Sequence, residues 1–224
     1  LTIETMVEFS DAVRGLVRGD KVTYDDIETQ IPWAEGYEMP VWVAAYGPKA
    51  LAGAGTSGDG LVIQLADPRL VKWFSDQALT AGKDSGRDMS KYQIMAAAPV
   101  WVGDMDKGRE QTRWFPGMVG NHVADIVEKY GKDNPDIPAS LTEYIEGRKG
   151  YDYREHADKD AHHLDFITNE IIDSFAIIGT PAQHVEKLKA LEAVGVTQFN
   201  IYLMCGEEER IVAEYAEHVL PHFQ

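Results

Sequence analysis

Cysteine is almost missing from this chain of 224 residues, which has one, Cys205. A single thiol excludes an intrachain disulfide framework and fits a reducing compartment, so the expected location is the cytoplasm. Long apolar runs are missing too. None approaches the ~20 residues that a bilayer span requires. The start, Leu1-Thr2-Ile3-Glu4, is acidic and amphipathic and does not read as a signal peptide. Positive charge is scarce: 21 lysines and arginines face 37 acidic residues, a net charge of −16. Nucleic acids and anionic membranes call for basic surfaces, so neither is an expected partner. His156, His162 and His163 fit no strong zinc spacing and have no cysteine nearby, so no metal is expected. Cys205 has no base placed near it by sequence and is set aside as a nucleophile. Neither a Walker-type phosphate loop nor a dinucleotide-binding G-x-G-x-x-G element is expected, and Gly53, Gly55 and Gly58 read as scattered glycines of a flexible helix end. Leu1 is not an initiator methionine, so the chain reads as part of a longer product.

What is present is the composition of a soluble globular protein, 44% hydrophobic and 26% charged. The length suits one large domain or two small ones, and a single domain over 1–224 is expected. Helix and strand signals alternate. Ile3, Met6, Val7, Val13, Leu16 and Val17 recur at helix spacing, and Gly19 ends that helix. Lys21–Met39 is polar and turn-rich, with room for a strand or two. Val41–Ala45 is a continuous apolar run of the kind a parallel sheet buries. A short helix from Pro48 precedes a second strand, Gly60–Leu65. Asp67-Pro68 opens a helix carrying Leu70, Val71, Phe74 and Ala78, which runs to about Ala81. Gln93–Val102 is a third strand, followed by a helical region, Asp106–Tyr130, broken near Pro116-Gly117. Asn134–Asp165 is polar and too long for an ordinary βα loop. It reads as an inserted excursion with one helix, Ser140–Arg148; with its flanking helical stretches the insertion spans about 106–168. Thr180-Pro181-Ala182-Gln183 is a capping-box pattern. Val185, Leu188, Leu191 and Val194 form the inner face of its helix, and Gly195 ends it. Gln198–Met204 is a fourth strand, and a helix with Ile211, Val212, Tyr215 and Val219 inward closes the chain. The sum is an α/β chain of four βα units preceded by a helix.

The segment PVWVAAYGPKAL, Pro40–Leu51, carries most of the chemistry. A strand runs into a helix at Tyr46-Gly47-Pro48-Lys49, with proline at the first helical position. Free amides and the positive dipole end at such a junction make an anion site, Gly47 admits a ligand close to the backbone, and Lys49 adds a mobile cation. The same segment also fits an ordinary βα turn.

PVWVAAYGPKAL, followed by Gly58-Asp59-Gly60, and IGTPAQHVEKLKALEAVGVTQFNIYL (Ile178–Leu203) together resemble the bacterial luciferase-like family. The chain is closer to a subgroup related to methylenetetrahydromethanopterin reductase. Within that subgroup WFPGMVGNHVADIVEKYG (Trp114–Gly131) and GRKGYDYREH (Gly147–His156) are characteristic. The resemblance covers essentially all of the chain. It implies a flavin- or deazaflavin-dependent (β/α)8 barrel, of which this chain would supply the end of the fourth βα unit and units five to eight, with the insertion after the seventh strand. It also implies that Ala45, Tyr46, Gly47, Pro48 and Lys49 meet the cofactor phosphate, and that Gln64 and Leu65 flank the phosphate or ribityl chain. Lys49 reads equally as a solvated surface lysine, and a buried Gln64 equally as a residue with a structural hydrogen-bond partner. Trp114, Asn121 and His122 form a substrate wall or pack as an ordinary helix. Tyr151, Tyr153 and His156 form a lid or an oligomer contact.

The function implied is an oxidoreductase acting on a small organic substrate with a reduced flavin-type cofactor, coenzyme F-420 or FMN. F-420 would give hydride transfer and FMN oxygenation. A flavin reductase is an implied partner alongside the small-molecule substrate. The alternative is a non-catalytic flavin-binding or structural relative, or an inactive fragment. Apolar strands such as Val41–Ala45 would leave open sheet edges in a half barrel, which points to a homo-oligomer.

Overall fold

The computed structural model describes residues 2–34, 36–130, 167–204 and 206–223, and not the side chains of Asn121 and Tyr130. The expected excursion at Asn134–Asp165, its helix at Ser140–Arg148, and Tyr151, Tyr153, His156, His162, His163 and Cys205 lie outside the described residues. The chain forms two units, Leu1–Ile63 with Phe74–Met95, and Gln64–Trp73 with Ala96–Gln224.

In the first unit, α1 (Ile3–Arg18) starts at Thr2, whose side chain accepts from the Thr5 amide, and stops at Gly19, where φ is 84°. Only glycine enters that left-handed conformation without strain. A short antiparallel hairpin follows, β1 (Val22–Tyr24) and β2 (Ile27–Thr29), the strand or two expected there. Then come β3 (Trp42–Ala44), α2 (Pro48–Ser57) and β4 (Gly60–Ile63). β3 and β4 pair in parallel, Trp42 opposite Gly60 and Ala44 opposite Val62. α3 (Pro68–Asp84) enters this unit at Phe74, and β5 (Gln93–Val102) begins here.

Asp59 ties these starts together. Its carboxylate accepts from the Val41 amide at 2.9 Å and from Arg14 Nη2 at 3.1 Å. Its backbone N–H donates to Val41 O at 2.8 Å, and its carbonyl accepts from Gln93 N at 3.1 Å. Arg14 also donates to Ser57 O, and Arg87 donates to Gly55 O and to Gly58 O. Two guanidinium groups thus cover the carbonyl end of α2, where the helix dipole favours cations.

The glycines of α2 are not a flexible end. Gly53, Gly55 and Gly58 have G-x-G-x-x-G spacing, but they lie within or at the end of the helix and not at its strand-side start. A Cβ at Gly55 would sit 2.0 Å from Ala78 O on α3, and one at Gly53 would sit 2.8 Å from Met6 Cε on α1. They are contact points where helix backbones approach closely.

In the second unit, β5 pairs in parallel with β6 (Ile177–Gly179), Val100 opposite Ile177, and also with β7 (Gln198–Tyr202). Five strands, β3 to β7, therefore carry the βα series, where four were expected. The overlooked one, β6, has three residues and follows α6 (Asn169–Phe175) after one residue. The helical break falls at Arg113, between α4 (Met105–Thr112) and α5 (Trp114–Tyr130), and not at Pro116-Gly117. Proline has no N–H to give, so it is tolerated in the first turn of the new helix, where that bond would be lost anyway. α7 (Pro181–Ala193) has both bonds of the capping box formed by Thr180 and Gln183. The last helix, α8 (Glu208–Glu214), runs into a π turn at Tyr215–Val219. Ile211, Tyr215 and Val219 are buried there as expected, but Val212 is exposed.

Two substitutions test this packing. Gly55→Ala gains ~1 kcal/mol of helix propensity but forces a methyl into Ala78 O; a net loss of about 2 kcal/mol is expected by urea unfolding. Asp59→Asn keeps the shape and removes the charge facing Arg14; a loss of about 2 kcal/mol is expected in the same assay.

Candidate functional site

The first unit holds the strand-to-helix turn. Ala45 is buried, Tyr46 and Gly47 are half-buried, and Lys49 is exposed. The Tyr46 ring stands edge-on to Phe74, centroids 5.7 Å apart. Gly47 is the N-cap of α2 with extended backbone (φ −78°, ψ 150°), and Pro48 takes the first helical position. The Gly47 carbonyl accepts from Leu51 N at 2.8 Å, as a helix start requires.

No side chain caps this first turn. Several other helices have such a cap, although α8 also starts without one. Thr2 caps α1, Asp104 α4 and Thr180 α7, each with a side-chain oxygen on a first-turn amide. Asp67 Oδ1 accepts from Arg69 N at 2.8 Å and Leu70 N at 3.2 Å at the start of α3. A helix start without such an oxygen keeps its amides available to an anion. Lys49 helps to hold the Glu4 carboxyl below its usual range, after the Glu4 backbone hydrogen bond and the Thr2 hydroxyl.

The second unit holds the other named residues. Gln64 follows β4 in the chain, is half-buried, and donates from Nε2 to the Tyr202 hydroxyl at 2.7 Å. Tyr202, the last residue of β7, stands edge-on to Phe115 at 5.7 Å, and Phe115 edge-on to Trp114 at 5.6 Å. Trp114 and Phe115 are buried. Gln64 and Trp114, expected separately as cofactor and substrate contacts, thus belong to one chain of contacts. The two residues that join them, Tyr202 and Phe115, were not singled out from the sequence. In the sequence Phe115 stands with Trp114 in the helical stretch before Asn121 and His122 but not among the expected site residues, and Tyr202 falls within the fourth expected strand, Gln198–Met204.

Leu65 is fully buried and has no polar side chain to offer a ligand. Ala66 N donates to Phe175 O at 3.1 Å, and Asp67 Oδ2 accepts from Ser174 Oγ at 2.6 Å. His122 is exposed on α5 and shares no hydrogen bond or ring contact with the Gln64–Tyr202 group among the described residues. Asn121 lies on the same helix.

Two titratable groups in α7 also went unnoticed from sequence. His184 is fully buried, with Nε2 3.0 Å from Trp101 O and Nδ1 2.8 Å from the Tyr215 hydroxyl. A carbonyl only accepts, so Nε2 carries the hydrogen and Nδ1 takes the Tyr215 proton. Burial pushes the imidazole down to about 4, and pushes the Tyr215 phenol up. Lys187 gives its ammonium protons to Asp173 O, Ser174 O and Ala176 O, at the carbonyl end of α6. Burial pushes it down to about 8 against the pull of Asp67 and Asp173. Both residues are saturated by partners and hold the fold. Arg109 joins α4 to α6 through a two-bond contact to Asp173, Nε–Oδ1 2.9 Å and Nη2–Oδ2 2.6 Å. Among the described residues no group of three or more His, Cys, Asp or Glu side chains could hold a metal ion. No helix there is long and apolar enough to cross a membrane.

Comparison with known proteins matches residues 2–198 to the luciferase-like monooxygenase family, and the chain belongs to that family. It is 28% identical over 202 residues to the 5,10-methylenetetrahydromethanopterin reductase of Methanolobus tindarius, covering 88% of this chain and 59% of that one. Among solved structures it is similar to an F420-dependent secondary alcohol dehydrogenase in complex with an F420-acetone adduct. There the TM-score is 0.73 at 19% identity, over 99% of this chain and 62% of that one. It is also similar to the coenzyme F420-dependent tetrahydromethanopterin reductase of Methanopyrus kandleri, with TM-score 0.69 at 20% identity over 98% and 63% of the two chains. At such identities the likeness shows the fold alone. The chain spans 59% of the length of the Methanolobus relative.

The His184 pocket gives a pH test. The unfolded chain takes up a proton near pH 6.5 that the folded chain refuses until about pH 4, so stability falls as pH drops through that window. The single group accounts for about 3 kcal/mol. In unfolding titrations from about pH 7 down to about pH 4, the gap between wild type and His184→Gln narrows by that amount.

Proposed function

We propose that this chain is the C-terminal part of a (β/α)8 oxidoreductase that uses a phosphorylated flavin-type cofactor, the deazaflavin coenzyme F420, on a small organic substrate. The observation that carries the reading is the uncapped start of α2 at Gly47, directly after the apolar strand β3. In this protein Thr2, Asp67, Asp104 and Thr180 cap four other helices, and only the short α8 also starts without a side-chain cap among the described α-helix starts with an N-cap residue. In a chain of net charge −16 an anion is repelled by the general field, so local amides must hold it. In the first unit the amides at Gly47–Lys49 take the cofactor phosphate, with Ala45, Tyr46 and Pro48 shaping the turn and Lys49 adding charge. In the second unit Gln64 and Trp114 are the ligand contacts of this reading, and the fully buried Leu65 contributes apolar packing only. Asn121, His122, Tyr151 and Tyr153 are the remaining substrate contacts of this reading. F420 is preferred over FMN because the two solved structures named above carry F420 in their descriptions.

When bound, the reduced cofactor supplies a hydride. In the first unit the backbone amides at Gly47–Lys49 would hold its phosphate.

The test is a titration of the purified protein with coenzyme F420 and with FMN, followed by quenching of cofactor fluorescence. Saturable quenching by F420, with weaker binding of FMN, is expected. Binding of neither would overturn the proposal. Gly47→Asp sharpens it, since the backbone there (φ −78°) accepts any residue. The new carboxylate caps α2 and stabilises the protein by roughly a few tenths of a kcal/mol. It also occupies the amides and repels phosphate, so F420 binds at least about tenfold more weakly. An unchanged affinity would remove Gly47 from the site.

A further inference from the structure

The Tyr202 hydroxyl makes one hydrogen bond among the described residues, and makes it as an acceptor. Its oxygen accepts from Gln64 Nε2 at 2.7 Å. A phenol has one proton to donate, and accepting a hydrogen bond leaves that proton uncommitted. No acceptor for it is found among the described residues. The surroundings are apolar and aromatic: Phe115 stands edge-on to the Tyr202 ring at 5.7 Å, Trp114 edge-on to Phe115, and both are buried. Tyr202 itself is half-buried at the C-terminal end of β7. A donor set in an apolar wall loses free energy if it is desolvated without an acceptor, and gains when a ligand brings one.

The contrast with Tyr215 is instructive. That phenol, also in the second unit, is buried and gives its proton to His184 Nδ1. Tyr92, in the first unit, gives its proton to Ala54 O at 3.1 Å. Tyr202 keeps its own.

We propose that Tyr202 is a ligand-recognition residue, whose hydroxyl, oriented by Gln64, donates its proton to a ring carbonyl oxygen of a flavin-type cofactor. The proposal rests on the functional reading above and goes beyond it by naming a donor in the second unit and the chemical group it meets. Gln64 is the positioning residue. It fills the acceptor side of the phenol, and so turns the O–H outward along the remaining direction. A flavin or deazaflavin ring suits this wall because it is planar, and its pyrimidinedione edge presents carbonyl acceptors.

The test uses two probes, coenzyme F420 and its phosphate-free deazariboflavin core, titrated into wild type, Tyr202→Phe, Gln64→Leu and the double variant. Melting curves accompany each titration. Tyr202→Phe keeps the ring and its contact with Phe115 and removes only the hydroxyl. It is expected to weaken both probes about tenfold, the size of one lost hydrogen bond. The visible band of the bound deazaflavin should move to shorter wavelength, a change that a purely structural role would not produce. The double variant should bind no more weakly than Tyr202→Phe, since Gln64 acts through Tyr202. Tyr202→Phe binding both probes as tightly as wild type, with an unmoved band, would overturn the proposal; full additivity in the double variant would overturn the role of Gln64. Should Tyr202→Phe fail to fold, Gln64→Leu carries the test, and unchanged affinity and band there would overturn the proposal. A wild type that binds neither probe overturns the functional reading as well. Weakening of F420 alone by Gly47→Asp, with both probes indifferent to Tyr202→Phe, leaves the phosphate turn standing and removes Tyr202.

Discussion

A parallel sheet has no hairpin to set where its strands begin, so the register must come from elsewhere. In the first unit it comes from Asp59. One residue accepts from Val41 with its carboxylate, donates to Val41 O with its amide, and accepts from Gln93 with its carbonyl. The chain ends of three strands are thereby held in line. The charge this requires is balanced by Arg14, which also serves the carbonyl end of α2 along with Arg87. At the starting ends of these strands the backbone groups of Val41, Asp59 and Gln93 are committed to partners, although the buried Trp42 indole N–H is not. At the far end of β3 the reverse holds, because Gly47 leaves a helix start uncapped. The division between a braced end and an open end is the one expected of a (β/α)8 protein, where stability sits at one face and chemistry at the other.

The second unit is braced by buried cations and neutral donors of a different kind. Lys187 gathers three carbonyls where α6 ends, and His184 bridges Trp101 O and Tyr215. Each is expensive to bury, and each is kept by full saturation of its hydrogen bonds. Tyr202 differs from them in that one bond is left for something else. Tyr202 is half-buried, within reach of a ligand, whereas the buried indole N–H groups of Trp42 and Trp101 lack a hydrogen-bond partner deep in the protein.

Much of this was legible in the residues. The capping box at Thr180 and Gln183 formed as read, because both partners are local and need nothing beyond four consecutive residues. Gly19 ended α1, and Leu70, Val71, Phe74 and Ala78 are fully buried, because helix periodicity reports the apolar face directly. The misses share a cause. Gly53 and Gly55 were read as loose because a glycine in isolation is loose; that Ala78 O lies 2.0 Å from where a Cβ would stand depends on a helix about twenty residues further on. β6 was missed because three residues carry no periodicity, and only pairing with β5 makes them a strand.

The motifs that carry the family resemblance are largely structural. Gly58-Asp59-Gly60 is a register clamp, and Thr180, His184 and Lys187 are caps and braces. Sequence by itself determined the α/β alternation, the family, and the strand-to-helix turn at Gly47, because each depends on residues adjacent in the chain. Tertiary structure decided which polar groups are saturated and which are not. Tyr202 meets Gln64 across 138 positions, and a hydrogen bond between residues so far apart leaves no trace in local composition, spacing or charge.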